Sequence, residues 1–163
     1  VDANIQREEL LPSEKAFAYK MKMDAMKRQG IRTDLTSCQN GTKFRADAAM
    51  AEQIGDSARS IQRYIRLTEL IPDLLDYVDK KRLQFTVAVD ISYIDKEIQT
   101  WLFEYIKENG TVKAVQVAAL RTALEVGPMT QAKMISILVN SQPGRKQEQK
   151  ITFSEKKLRN FFF

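Results

Sequence analysis

The sequence predicts an all-helical protein with a buried core, and three observations lead to that expectation. Apolar residues recur at three- and four-residue spacing along almost the whole chain. No run alternates apolar and polar residues for long enough to indicate a half-buried strand. The chain of 163 residues is also long enough to bury a hydrophobic core without disulfide or metal staples. We therefore expect helices packed into one compact body or two small ones.

Helix start and stop signals place the individual elements. The first helix is expected from Pro12 to Gly30, with Ser13 available to cap its first turn, and a loop is expected over 33–42. Thr86 and Thr130 are expected to cap two of the later helices. Those later helices are expected over 46–54, 58–70, 72–79, 87–94, 95–109, 112–126 and 131–139.

The composition excludes several classes of function. Histidine is absent and Cys38 is the only cysteine, which removes histidine-based acid–base catalysis, the usual nucleophile pairs and the usual zinc sites. We therefore expect neither an enzyme nor a metal site in this chain. A single thiol suits a reducing cytoplasm, and no stretch approaches the roughly 20 apolar residues that span a bilayer. The sequence thus predicts a cytoplasmic protein that does not enter a membrane.

The formal net charge of +5 lies mostly near the end of the chain. Between residues 140 and 163, only Glu148 and Glu155 oppose the basic residues Arg145, Lys146, Lys150, Lys156, Lys157 and Arg159. A run of charge is usually a solvated face. Net charge therefore decides little about the partner, and the local arrangement of arginines has to be considered instead.

The segment 46–67 carries the spacing of a helix-turn-helix. Ala51 is followed four residues later by Gly55, and Ile61 comes six residues after that. A small residue at position 51 lets two helices approach closely, and glycine at position 55 can take the positive φ of a tight turn. Ile61 is then expected to wedge between the two helices.

The second helix of this segment separates apolar from polar residues. At about 100° per residue, one face holds Ala58, Ile61, Tyr64, Ile65 and Thr68, and the other holds Arg59, Gln62, Arg63 and Arg66. A recognition helix needs this division, because one side is anchored in the protein while the other offers donors to bases and phosphates. The alternative is an ordinary helical hairpin whose polar face carries arginines because surfaces carry charge.

The candidate DNA contacts follow from this division. Ser57 can cap the helix and also reach a phosphate. The expected contacts of the helix are Ser57, Arg59, Ser60, Gln62, Arg63 and Arg66. Basic residues outside it are candidates for contacts with the DNA backbone, namely Lys43, Arg45, Lys80, Lys81 and Arg82.

Three segments together resemble one known family. They are 51–79 (AEQIGDSARSIQRYIRLTELIPDLLDYVD), 3–19 (ANIQREELLPSEKAFAY) and 151–163 (ITFSEKKLRNFFF). The family is the ParB partition family, particularly the ParB-like proteins of mobile elements in Gram-positive bacteria. The first segment resembles its helix-turn-helix region, the second resembles the junction after its nucleotide-binding domain, and the third resembles the start of a C-terminal module. The resemblance implies a remnant nucleotide-binding domain over 1–12, a helical DNA-binding domain over 13–139, a linker over 140–150 and a truncated module over 151–163.

The resemblance also implies a function. A protein of this family binds double-stranded DNA sequence-specifically in the segregation of plasmids, chromosomes or mobile elements. The implied partners are a palindromic DNA site, a second copy of the chain and a Walker-type partition ATPase, with the protein associated with the nucleoid or a plasmid. Two alternatives stay open, namely a helix-turn-helix repressor without a partition role and a helical protein-interaction scaffold.

Two positions depart from the family pattern. Asn4 and Arg7 match the family's nucleotide-contacting ENxxR box, but Ala3 replaces its glutamate. We therefore expect no competent nucleotide site here, and CTP and magnesium are implied only for a longer protein. Lys81 stands where the family usually has glycine before the next helix, and a different turn can accommodate a lysine there.

Overall fold

The computed structural model describes residues 10–34 and 46–144, and the regular elements within these ranges are all helical. A 3-10 turn over Leu67–Glu69 continues the third helix. The described residues form eight α-helices, namely α1 Pro12–Asp34, α2 Ala46–Ile54, α3 Ala58–Arg66, α4 Pro72–Asp79, α5 Phe85–Ile91, α6 Lys96–Asn109, α7 Ala114–Val126 and α8 Gln131–Asn140. The predicted fold class, all-α, is confirmed for this part of the chain. None of these helices combines the length and the apolar character needed to cross a bilayer.

Five helices lie within two residues of their expected bounds, and α1, α3 and α5 differ by more. α1 continues past Gly30 to Asp34, since one glycine inside a helix costs only about 1 kcal/mol. α3 ends at Arg66, and its last turn tightens into the 3-10 form. α5 begins at Phe85 after Gln84 and ends at Ile91, so the prediction that Thr86 caps a helix over 87–94 is wrong.

The first turn of α1 is held by Asp79, a distant carboxylate, and not by a cap from its own serine. Pro12 is the first helical residue, so Ser13 lies inside the helix and the prediction that it caps α1 is wrong. The backbone N–H and Oγ of Ser13 donate to the two carboxylate oxygens of Asp79, at 3.0 and 2.5 Å. The N–H of Leu11 donates to Oε2 of Glu14 at 3.1 Å. α1 is therefore fixed to the end of α4 at the point where it begins.

The described residues form two hydrophobic clusters. The larger one lies mainly among α4 to α8, with Leu74, Leu102 and Leu120 fully buried, and also includes Ala16 of α1 and Leu67. The smaller one joins α1, α2 and α3 through Tyr19, Met23, Met50 and Ile61. Tyr64 of α3 packs against both clusters. The α2–α3 pair therefore rests on α1 and is connected to the main core through α3.

Lys81 lies in the turn after α4. It takes a φ of 58°, which is the left-handed conformation that glycine favours. The lysine therefore adopts the backbone conformation that a glycine would favour at this point. The turn is held by the neighbouring chain, because the N–H groups of Arg82 and Leu83 both donate to the carbonyl oxygen of Tyr77, at 2.9 and 3.1 Å.

Candidate nucleic-acid interface

The turn between α2 and α3 has the expected local geometry. Gly55 has a φ of 82°, and its N–H donates to the carbonyl oxygen of Ala51 at 2.9 Å. A Cβ at this position would meet no atom within 4 Å, so the positive φ, rather than close packing, requires glycine. Ser57 has extended backbone angles, and its Oγ accepts a hydrogen bond from the N–H of Ser60 at 3.1 Å. The predicted turn glycine and N-cap serine are both confirmed.

Ile61 anchors α3 in the protein. Its side chain is fully buried together with Met50 of α2, and α1 contributes Tyr19 and Met23 to the same cluster. Ala51 and Ile54 are partly buried against these residues. The prediction that Ile61 wedges between α2 and α3 is confirmed, and α1 closes the cluster from a third side that the sequence did not indicate.

A polar contact also connects α1 to the turn. The Tyr19 hydroxyl donates to Oδ2 of Asp56 at 2.5 Å, and Nζ of Lys15 lies 3.6 Å from the same oxygen. Burial raises the pKa of Tyr19 above its ordinary value, and the hydrogen bond to Asp56 raises it further. Lys15 also lies 4.9 Å from the centre of the Tyr64 ring. The position of the turn is therefore fixed by α1.

The predicted polar face of α3 lines one wall of an open cleft of about 500 Å³. Arg59 and Gln62 are exposed, whereas Arg63 and Arg66 are partly buried. The opposite wall belongs to α5 and to the residues that follow it. The residues that line the cleft are Arg59, Gln62, Arg63, Arg66, Thr86, Val89, Asp90 and Tyr93. The four polar residues of α3 named from the sequence are thus brought together.

The four side chains differ in how they are held. Nε and Nη2 of Arg66 donate to Oγ and to the carbonyl oxygen of Ser92, at 3.2 and 2.8 Å. The Arg63 guanidinium lies 5.0 Å from the centre of the Phe85 ring. Within the described ranges, Arg59 and Gln62 form no side-chain hydrogen bond or ion pair. These two side chains are therefore the most available to a ligand.

The sequence did not indicate the cleft residues outside α3, among which Tyr93 is the aromatic one. Its ring is 57% exposed and lies between two guanidinium groups, at 4.1 Å from Arg66 and 5.2 Å from Arg121. Arg121 of α7 also bonds to Asp90 at 3.2 Å, and Asp90 is the only acidic residue among the described residues that line the cleft. With that acid paired, the electrostatic character of the cleft is positive. No local pattern in the sequence indicates these contacts, because they join three separate helices.

Other candidates are placed differently or lie outside the described residues. Lys80, which follows α4, pairs with Asp76 at 2.6 Å, and the Arg82 guanidinium lies 5.6 Å from the centre of the Tyr77 ring. Neither lines the cleft. The predicted backbone contacts Lys43 and Arg45, and the nucleotide-box residues Asn4 and Arg7, lie outside the described residues.

Across 10–34 and 46–144, no group of three or more His, Cys, Asp or Glu side chains is arranged to hold a metal ion. Comparison of the chain with protein-family models, curated proteins and solved structures finds no match.

Proposed function

We propose that this chain binds double-stranded DNA sequence-specifically, with α2, the Gly55 turn and α3 acting as a helix-turn-helix. The observation that carries the proposal is the division of α3 into two faces. Ile61 is fully buried against α1 and α2, while Arg59, Gln62 and Arg63 line an open cleft. In a helix-turn-helix, the second helix lies in the major groove and its exposed residues contact base edges.

The exposure and the hydrogen bonds of each side chain suggest its role in binding. Arg59 and Gln62 are exposed, and arginine and glutamine can form paired hydrogen bonds with guanine and adenine. We assign these two residues, with Arg63, to base contacts. Arg66 has donors engaged by Ser92, so we assign it chiefly to holding α3 against α5. We assign Ser57 and Ser60, at the start of α3, to phosphate contacts.

The charge of the cleft supports a polyanionic ligand. Three arginines of α3 line it together with Asp90, the one acid among the described lining residues, and Arg121 already pairs with that acid. Phosphate contacts by such side chains supply much of the affinity of DNA-binding proteins and make it depend on salt. A protein-interaction scaffold does not require this concentration of unpaired cations around one helix.

For the biological role, we propose a ParB-like partition protein. The support is the resemblance of residues 51–79 to the helix-turn-helix region of that family. The proposed partners are those that the resemblance implies, namely a palindromic DNA site, a second copy of the chain and a Walker-type ATPase. A few bound sites near one origin or transfer region would support partition, whereas sites that overlap promoters would indicate a repressor.

Selection of bound duplexes from a random pool tests the DNA-binding proposal directly. We expect enrichment of one sequence, preferred over scrambled duplexes. Failure to enrich any sequence, with no duplex binding at low salt, would overturn the proposal. A scaffold protein would give that result.

Substitutions on α3 then separate base reading from backbone contact. Arg59→Ala and Arg63→Ala should each cost about 1–3 kcal/mol on the selected site and much less on a scrambled duplex. Lys107→Ala is the matched control, because it removes one charge from the exposed face of α6, away from the cleft. Affinities at two salt concentrations should show equal salt dependence for control and parent. An equal loss on both duplexes for the α3 variants would mean that α3 contacts the backbone without reading sequence.

A further inference from the structure

The outer face of α1 is exposed and partly apolar. Its inner face buries Ala16, Tyr19 and Met23 against the rest of the protein. On the outer face, Phe17 is 48% exposed and Met21 is 74% exposed. The residues of this outer α1 face are Glu14, Phe17, Met21, Ala25 and Arg28, and all five are exposed. They lie on one side of the helix, because they recur at three- and four-residue spacing.

The spacing of the outer α1 face is the same when it is read from either end. Successive residues are separated by three, four, four and three positions, with Met21 at the centre. A second copy of α1, antiparallel and related by a two-fold axis at Met21, would therefore match the first position by position. Glu14 would lie opposite Arg28, Phe17 opposite Ala25, and Met21 opposite itself. A two-fold interface requires this kind of self-complementary surface.

The matched positions are complementary in charge and in size. Glu14 is acidic and Arg28 is basic, and neither forms an ion pair with another described residue. The two-fold axis would create this ion pair twice, once at each end of the contact. The large Phe17 would meet the small Ala25, as when a ridge of one helix fits a groove of the other. From Glu14 to Arg28 the contact would extend for about 21 Å along the helix.

We propose that the outer α1 face is a homodimer interface in which two copies of α1 pack antiparallel. A standard interface buries about 800 Å² per partner, and one helix pair of this length buries less. The expected dimer is therefore weak, with a dissociation constant in roughly the micromolar range. The face lies opposite Tyr19 and Met23, which support α3, so dimerisation does not depend on DNA binding.

Sedimentation equilibrium over about 1 μM to about 1 mM tests the interface. The parent protein should pass from monomer to dimer as its concentration rises. Met21→Glu places two carboxylates at the axis and should weaken the dimer at least about tenfold. Because Met21 is largely exposed, thermal unfolding of the variant should match the parent and show that it folds. A parent that stays monomeric throughout, or a Met21→Glu variant that dimerises as the parent does, would overturn the proposal and leave this face to a different partner.

Charge exchange provides the sharper test. Glu14→Arg alone and Arg28→Glu alone should each weaken self-association, because each brings like charges together at both ends of the contact. The double variant should regain the dimer. A mixture of the two single variants should form a heterodimer, since each chain then supplies only one sign of charge. Lys27→Glu is the control, because this exposed residue of α1 lies off the outer face. It should dimerise like the parent, and the absence of both rescue and heterodimer would overturn the antiparallel pairing.

Discussion

The hydroxyl of Tyr19 in α1 donates a hydrogen bond of 2.5 Å to Asp56, which follows Gly55 in the turn between α2 and α3. The two residues are 37 positions apart in the chain. Lys15 lies 3.6 Å from the same carboxylate oxygen, so two side chains of α1 contact one residue of the turn. The orientation of α3 relative to the rest of the protein therefore depends partly on a contact that α3 does not itself form.

Replacing Tyr19 by Phe should destabilise the protein by about 1–3 kcal/mol, because the change removes a hydrogen bond to a charged group and leaves the carboxylate with fewer partners. Urea unfolding of the parent and the variant measures the difference. Tyr93→Phe is a suitable control, since that ring is 57% exposed and its loss of a hydroxyl should change stability little. Equal effects of the two substitutions would show that the contact with Asp56 contributes nothing.

Stability should also fall at alkaline pH through Tyr19. Burial, followed by the hydrogen bond to Asp56, raises the pKa of this hydroxyl above its ordinary value of 10.0. The unfolded chain then loses the proton at lower pH than the folded chain, so the contribution is fully present below about pH 10 and is lost above it. Deprotonation of this group should lower the free energy of unfolding by at most about 1.4 kcal/mol per pH unit. The Tyr19→Phe variant keeps all the other titrating groups of the parent. The difference in the free energy of unfolding between parent and variant should therefore shrink from about pH 9 to about pH 11. A constant difference would contradict the shift.

Truncating Ile61 to Ala should cost about 2–5 kcal/mol, because it leaves a cavity among Tyr19, Met23 and Met50. Thermal or urea unfolding measures the loss. Ile135→Ala makes the same chemical change on α8, where the side chain is 42% exposed, and should cost much less. If Ile61→Ala unfolded like the parent but lost DNA binding, Ile61 would be a ligand contact and the assigned register of α3 would be wrong.

Replacing Lys81 by Gly should stabilise the protein by roughly 0.5–1 kcal/mol, since relief of the left-handed backbone outweighs the added flexibility of the unfolded chain. Lys80→Gly is the matched control, because the neighbouring lysine has an ordinary φ of −77° and pairs with Asp76. That change should destabilise. Urea unfolding measures the change in stability for both variants. If both substitutions changed stability in the same direction, that result would argue against backbone strain at Lys81.

Tyr105→Phe should leave stability unchanged or raise it by up to about 1–2 kcal/mol. The hydroxyl of Tyr105 is buried in α6 without a hydrogen-bond partner among the described residues, so its removal relieves an uncompensated loss of hydration. The opposite sign is expected for Tyr19→Phe, although both changes delete one hydroxyl. A loss of more than about 1 kcal/mol for Tyr105→Phe would mean that this hydroxyl has a partner in solution.

Much of the local structure could be predicted from the sequence, because its causes lie within a few residues. Gly55 takes a positive φ, Ser57 caps α3, and Pro72 and Gly110 mark a helix start and a helix end. The alternation of buried and exposed positions along α3 follows from helical periodicity alone. The expected cap at Ser13 was wrong because the helix begins one residue earlier, at Pro12, and Ser13 instead donates two hydrogen bonds to Asp79, 66 positions away.

The sequence by itself determined the helical class, the α2–α3 turn, the burial of Ile61 and the polar face of α3. Only the tertiary structure decided which of those polar side chains are available. Arg66 is engaged by Ser92 and Tyr93, and Arg121 neutralises the one acid of the cleft. The tertiary structure also decided that α1 supports α3 through Tyr19 and exposes its opposite side. The physical reason is range, since capping and periodicity act within one or two helical turns, whereas these contacts require packing between distant helices.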